Sequence, residues 1–471
     1  MKKLLIFILS LLFVMPYCSL FVLADDENVA TVGGYYDIDA PEYEPNIALL
    51  VNADTDTVIY AKNADVVTAP ASLTKIVTGL VVISKCSDLQ TQITCSQTAV
   101  DTLLGTGSSV IGLVGGETTT VEMLLYCIFL PSANDAAAVL AEHFGDGDPQ
   151  KFVDEMNAYV ASLGCTNTHF ANPHGLDDEN VTGYDSDTQN RTTAYDMYLI
   201  SKAALQNDTI VKISSTYGKT MPANNMSAEK YLYNTNPLNN EFSPYYYGKK
   251  DVIQGLKTGT TDKAGACLIT SATEDGYTYI AIAMGGETDY LIDGAPYNTA
   301  YLMCRYMLKW AFNNVKMKVL ADATYVMGEV KVEYGRGVDY VALVPQVKIS
   351  SVVHENIDIS DMEVVMAEGF PTSVKAPVKK GDVVGKAYLM YGDVKIADVT
   401  LVAQQDVKRN HLWAAFSWLE KLVKSKVFIV LVIIIIIVLV FLFITKNNRR
   451  IKRERKKGRV DIVKDYSKLA K

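Results

Sequence analysis

Three short motifs must meet in space before any of them can do chemistry: Ser72-Leu73-Thr74-Lys75, Ser132-Ala133-Asn134 and Lys257-Thr258-Gly259. They lie 60 and 125 residues apart, which are domain-scale intervals. The chain therefore has to fold into one catalytic unit that brings two helical segments and a strand to a common cleft. Each motif alone is weak. In this order they specify acyl transfer through a serine ester, with a lysine managing the proton.

The first motif follows Pro70 and opens an apolar stretch, SLTKIVTGLVVISK, which reads as a helix starting near Ser72. Positions i and i+3 share a helix face, so the Ser72 hydroxyl and Lys75 amine can touch at the positive end of the helix dipole. A lysine serves as base only if burial or a neighbouring cation lowers its pKa. A second S-x-x-K, Ser227 to Lys230, sits in polar surroundings and reads as a solvated loop or helix edge. Ser132 and Asn134 fall between an apolar helical run, Val121 to Leu130, and a helix from Asp135 to His143. There Ser132 can relay a proton and donate to Lys75, and Asn134 can hold Lys75 and a substrate amide. The bland alternative is a helix N-cap. Lys257 offers a fixed positive charge for a substrate carboxylate, Thr258 and Thr260 offer hydroxyls, and Gly259 allows close approach of backbone and substrate. The bland alternative is an edge-strand lysine beside a turn glycine.

At these residues the chain resembles the serine D-alanyl-D-alanine carboxypeptidases, the low-molecular-mass penicillin-binding proteins. The resemblance extends to Ala69-Pro-Ala-Ser-Leu-Thr-Lys, Leu130-Pro-Ser-Ala-Asn-Asp-Ala-Ala-Ala, Phe170-Ala-Asn-Pro-His-Gly-Leu, Thr193-Ala-Tyr-Asp-Met and Gly255-Leu-Lys-Thr-Gly-Thr-Thr. It covers roughly Ile47 to Asn314, and Val374 to Val407 is similar to the small β-domain of many members. It implies Ser72 as nucleophile, Lys75 as general base, and Ser132 and Asn134 completing the proton network. Lys257, Thr258, Gly259 and Thr260 would form the substrate side, with the backbone N–H groups of Ser72 and Thr260 as the oxyanion hole. The implied substrate is the D-alanyl-D-alanine end of a peptidoglycan stem pentapeptide, with β-lactams as inhibitors and no cofactor. One departure is the lack of an arginine in the stretch GGETDYLIDGAPYN, where many members carry one.

The fold expected is α+β: a penicillin-binding or β-lactamase-like catalytic domain of helices around an antiparallel sheet, a small all-β domain after it, and one C-terminal transmembrane helix. The segments read as a signal peptide over 1–24, a flexible segment over 25–41, the catalytic domain over 42–315 and the β-domain over 316–408. An amphipathic juxtamembrane segment over 409–426, a span over 427–444 and a basic cytoplasmic tail over 445–471 follow. Val427 to Ile444 is 18 consecutive apolar residues, about 27 Å of helix, enough to cross a hydrocarbon core. The tail from Lys446 carries 12 basic and 3 acidic residues, which favours the cytoplasmic side and places the catalytic domain outside. Removing that +9 and the two N-terminal lysines from a net charge of −9 leaves about −20 for the rest, which argues against nucleic acid as a partner.

No C-x-x-C pattern supports a metal site, and Cys127 and Cys267 read as core. His169 and His174 flank Asn172-Pro173 and read as loop-shaping. Other functions compete. A β-lactamase would add a carboxylate to drive deacylation, yet 172–190 offers acids without an E-x-x-L-N-like arrangement. A transpeptidase or endopeptidase would use the same residues. A β-lactam or wall-fragment sensor would be acylated without turnover.

Overall fold

A computed structural model of the chain describes residues 38–103, 105–392 and 394–468. The signal peptide read over 1–24 and most of the segment read over 25–41 lie outside them. The described residues cluster in two units, one running to Lys318 and including Ser350–Asp361, the other formed by Val319–Ile349 and the chain from Met362 onward. The first unit thus takes back a segment that the sequence assigns to the β-domain. Glu355 N–H donates to the Asn314 carbonyl (2.9 Å), and the Lys318 ammonium donates to the carbonyls of Glu355 and Ile357 (both 2.8 Å).

The first unit is built on five antiparallel strands: β1 (Ile47–Asn52), β2 (Thr57–Lys62), β3 (Ile253–Thr261), β4 (Gly265–Glu274) and β5 (Tyr277–Gly286), in the order β2-β1-β5-β4-β3. Strands β4 and β5 turn on Asp275 and Gly276, both at positive φ, the two-residue hairpin that Asp-Gly favours. All six residues of β1 are buried because both sheet faces are covered. Successive strand side chains point to opposite faces. Ile47, Leu49 and Val51, with Ile280, Ile282 and Met284, join the helical core on one side. On the other, Tyr279 packs edge-on against Phe312 of a long helix, Thr299–Asn314, whose Cys304 thiol lies 3.6 Å from the Leu268 carbonyl.

The helical side holds α1 (Lys75–Lys85), α2 (Val121–Phe129), α3 (Asn134–Phe144), α4 (Pro149–Ser162) and α5 (Ala194–Leu205). Close packing of α1 on α2 is set by Gly79, where a Cβ would stand 2.7 Å from a Phe129 ring carbon. Thr193 caps α5 by accepting from Asp196 N–H, and buried Asp196 accepts from Asn167 N–H and the Thr168 hydroxyl. The Thr193-Ala-Tyr-Asp-Met segment is therefore a structural bracket.

The second unit is a six-stranded sheet: β6 (Gly328–Glu333), β7 (Tyr340–Pro345), β8 (Glu363–Met366), β9 (Ser373–Lys375), β10 (Val383–Tyr391) and β11 (Val394–Ala403), ordered β8-β10-β11-β7-β6-β9. Its core shows the period of two that strands impose: Val330 and Val332, Val341 and Leu343, Ala387 and Leu389, Val399 and Leu401 are all buried. A helix His411–Val423 follows, with Trp413 and Trp418 exposed. One further helix, Lys426–Lys468, contains a stretch of mean hydropathy 4.0 that is long and apolar enough to cross a membrane.

Candidate active site

Ser72 lies in a 3-10 turn, Ala71–Thr74, and α1 begins only at Lys75. The helix expected from Ser72 is thus one tight turn late, because Ala71 sits at φ +46 behind Pro70. The i, i+3 relation survives: Lys75 Nζ is 2.8 Å from Ser72 Oγ. Lys75 has no solvent exposure.

Three hydrogen bonds converge on Lys75 Nζ: Ser72 Oγ, the Asn134 side-chain oxygen (2.6 Å) and the His174 carbonyl (2.7 Å). The last two partners can only accept. A neutral amine has two N–H groups and one lone pair. With both N–H groups held by acceptor-only oxygens, the lone pair is left facing the one partner that carries a proton, Ser72. Burial, and after it the charge of Lys257, hold Lys75 well below the usual lysine pKa, while Asp135 pulls the other way. Electrostatics thus favours a neutral base, and in that form the geometry leaves its lone pair to Ser72.

Neither residue of the second motif is an N-cap by side chain. Ala133 occupies the cap position of α3, without a side-chain bond. Asn134 turns inward to Lys75. Ser132 is held at φ +65, a strained setting for a non-glycine residue, and is buried at the cleft. It makes no direct hydrogen bond to Lys75, where the sequence expects it to donate; Nζ is met instead by Ser72, Asn134 and His174.

Lys257 is on the sheet's edge strand, as the bland reading had it, yet it is 1% exposed. Its ammonium donates to the Thr258 carbonyl (3.0 Å). Burial lowers its pKa to about 7, so the charge expected to be fixed depends on pH until an anion joins it. Gly259 lets β3 press on the nucleophile's turn. A Cβ there would meet Ala71 Cβ and the Ser72 nitrogen, each at 3.1 Å. Thr260 is exposed beside it.

Sequence reasoning missed three participants. The His174 carbonyl is one; its ring is neutral, since burial and then Lys75 lower its pKa to about 3, and its Nδ1 accepts from Leu176 N–H (3.2 Å). Thr235 is another, its hydroxyl 2.6 Å from that of Thr258. Asp135 is the third. Its carboxylate accepts from Ile111 N–H (3.2 Å) and Leu113 N–H (3.0 Å), while the Ser109 carbonyl accepts from Asn134 N–H (2.8 Å), so the 109–113 loop braces the second motif. Lys230 donates to the carbonyls of Ile111 and Gly112 from the start of a strand, Lys230–Tyr233. The second S-x-x-K is therefore not helical, and its lysine braces the same loop.

Two acids of 172–190 are engaged away from Ser72. Asp177 accepts from Lys263 N–H and the Gln189 amide, and Asp178 from Asn180. No carboxylate among the described residues hydrogen-bonds to Lys75 or Ser72. Among the described residues no group of His, Cys, Asp or Glu could hold a metal.

Residues 36–288, more than half of the chain, match the D-alanyl-D-alanine carboxypeptidase family of peptidase S11, and residues 316–409 match the C-terminal domain of penicillin-binding protein 5. The chain belongs to this family of serine-type carboxypeptidases acting in peptidoglycan maturation. It is 29% identical to D-alanyl-D-alanine carboxypeptidase DacF of Bacillus subtilis over 78% of this chain and 87% of that protein. Identity to DacA of Escherichia coli is 35%, over 58% of this chain and 63% of the other. Penicillin-binding protein 5 from Haemophilus influenzae superposes with a TM-score of 0.59 at 26% identity, covering 79% of this chain and all of that structure.

Proposed function

We propose that the chain removes the terminal D-alanine from peptidoglycan stem pentapeptides through an acyl-enzyme on Ser72. The orientation of Lys75 by two acceptor-only oxygens is the observation that carries this reading. Ser72 Oγ attacks the carbonyl between the two D-alanines as its proton passes to Lys75 Nζ. The backbone N–H groups of Ser72 and Thr260 hold the developing oxyanion; one such donor is typically worth about 2.7–4 kcal/mol. Ser132, buried beside Asn134 in the chain, relays the proton from Lys75 to the leaving amine by closing on Nζ once Ser72 is acylated. Lys257, Thr258 and the neighbouring Thr235 receive the terminal carboxylate, whose charge restores protonation of Lys257. Water then hydrolyses the ester. A β-lactam acylates the same serine.

The apolar segment Val427–Ile444 anchors the protein in the membrane, with the catalytic unit outside and the basic tail in the cytoplasm. The test is D-alanine release from a synthetic stem pentapeptide by the full chain in detergent, beside Ser72→Ala. Release that the variant lacks supports the reading. Stable penicillin labelling without release from any D-alanyl-D-alanine peptide points instead to a sensor.

A further inference from the structure

We infer that Asn190 is a positioning residue for the general base, acting through the loop that carries the His174 carbonyl. The inference rests on Lys75 being the base.

The loop Phe170–Leu176 docks on one face of the nucleophile's turn and helix. Gly175, at φ +91, lies so close to the Ala71 carbonyl that a Cβ would stand 1.8 Å from its oxygen. The His174 carbonyl meets Lys75, and the Pro173 carbonyl accepts from the Thr78 hydroxyl (2.6 Å). Lys75 and Thr78, three residues apart in α1, share one face of that helix, and Ala71 lies in the turn before it. This loop has no regular secondary structure to fix it, so its carbonyls are only as well aimed as its side-chain anchors.

Asn190 is the principal anchor. It is fully buried. Its side-chain oxygen accepts from Ala171 N–H (2.7 Å) and Asn172 N–H (3.1 Å). Its amide donates to the Asn172 carbonyl (3.2 Å), the Asn172 side-chain oxygen (3.3 Å) and the Thr74 hydroxyl (3.2 Å). Asn172 in turn accepts from the N–H groups of His174 (3.3 Å) and Gly175 (2.7 Å). One side chain therefore ties the loop to the residue just before Lys75. Without it, the His174 carbonyl loses its fixed distance to Nζ, one N–H of the neutral amine is released, and the lone pair no longer faces Ser72. A different contact serves only the loop's start: Asn157 exchanges two hydrogen bonds with the Phe170 backbone (2.7 and 2.8 Å).

The test uses the full chain in detergent and a fluorescent penicillin, with saturation labelling counting folded sites and the labelling rate per site reporting the base. Asn190→Ala is expected to slow labelling per site by about tenfold or more, and to lower kcat for D-alanine release with KM within about twofold. Asn190→Asp keeps the shape and both accepted bonds, and guards against a folding failure; it is expected to fall in the same direction by a smaller factor. Asn157→Ala is expected to lower thermal stability and leave the rate per site unchanged. Asn190 variants that lose only labelled sites, with wild-type rates at those remaining, would overturn the inference. If wild-type chain neither labels nor releases D-alanine, the carboxypeptidase reading fails instead.

Discussion

Gly259 faces the backbone nitrogen of Ser72 so closely that a Cβ at 259 would stand 3.1 Å from it. The glycine of the third motif is thus a spacer between the substrate strand and the nucleophile's turn. Gly259→Val is expected to push these apart and cut penicillin acylation by about a hundredfold or more, the scale of losing an oxyanion donor. Labelling kinetics on protein with an unchanged far-UV circular dichroism spectrum would check it.

Asn134→Asp places a carboxylate where an amide oxygen now meets Lys75 at 2.6 Å. An adjacent negative charge favours the protonated amine and raises its pKa. The base must be neutral, so the acid limb of the acylation rate should move to higher pH. An acid limb that stays in place would show that another group sets it.

Lys257 has its pKa lowered to about 7 by burial, so the free enzyme carries the anchoring charge below that pH and loses it above. KM for the peptide is expected to rise as pH increases through about 7. Lys257→Arg, which keeps its charge at any working pH, should flatten that rise. Steady-state kinetics between pH 5 and 9 decide it.

Gly79→Ala adds a Cβ 2.7 Å from the Phe129 ring. The better helix propensity of alanine, about 1 kcal/mol, opposes an overpacking cost of about 1–3 kcal/mol. A net loss near 1 kcal/mol is expected in chemical denaturation, with penicillin labelling per folded molecule unchanged.

Much of the site was legible because its chemistry is carried by side chains in motifs. Ser72, Lys75 and Asn134 needed only helix spacing and their order in the chain, and the Asp275-Gly276 hairpin followed from turn chemistry. What stayed hidden was of another kind. The role of His174 lies in its backbone carbonyl, which any residue carries. Thr235 and Lys230 act across 23 and more than a hundred residues through contacts that no local pattern records. The return of Ser350–Asp361 to the first unit depends on a backbone bond from Glu355 to Asn314 and on the Lys318 ammonium at the Glu355 and Ile357 carbonyls, and its residues look like the strands around them.

The acyl-enzyme itself is the most direct observable. The full chain turning over diacetyl-Lys-D-Ala-D-Ala would be quenched in acid and mapped by peptide mass spectrometry. The account predicts an adduct equal to substrate less one D-alanine on the peptide spanning Ser72 to Lys75, absent in Ser72→Ala. An adduct on Ser227 or elsewhere, or undiminished D-alanine release by Ser72→Ala, would contradict it.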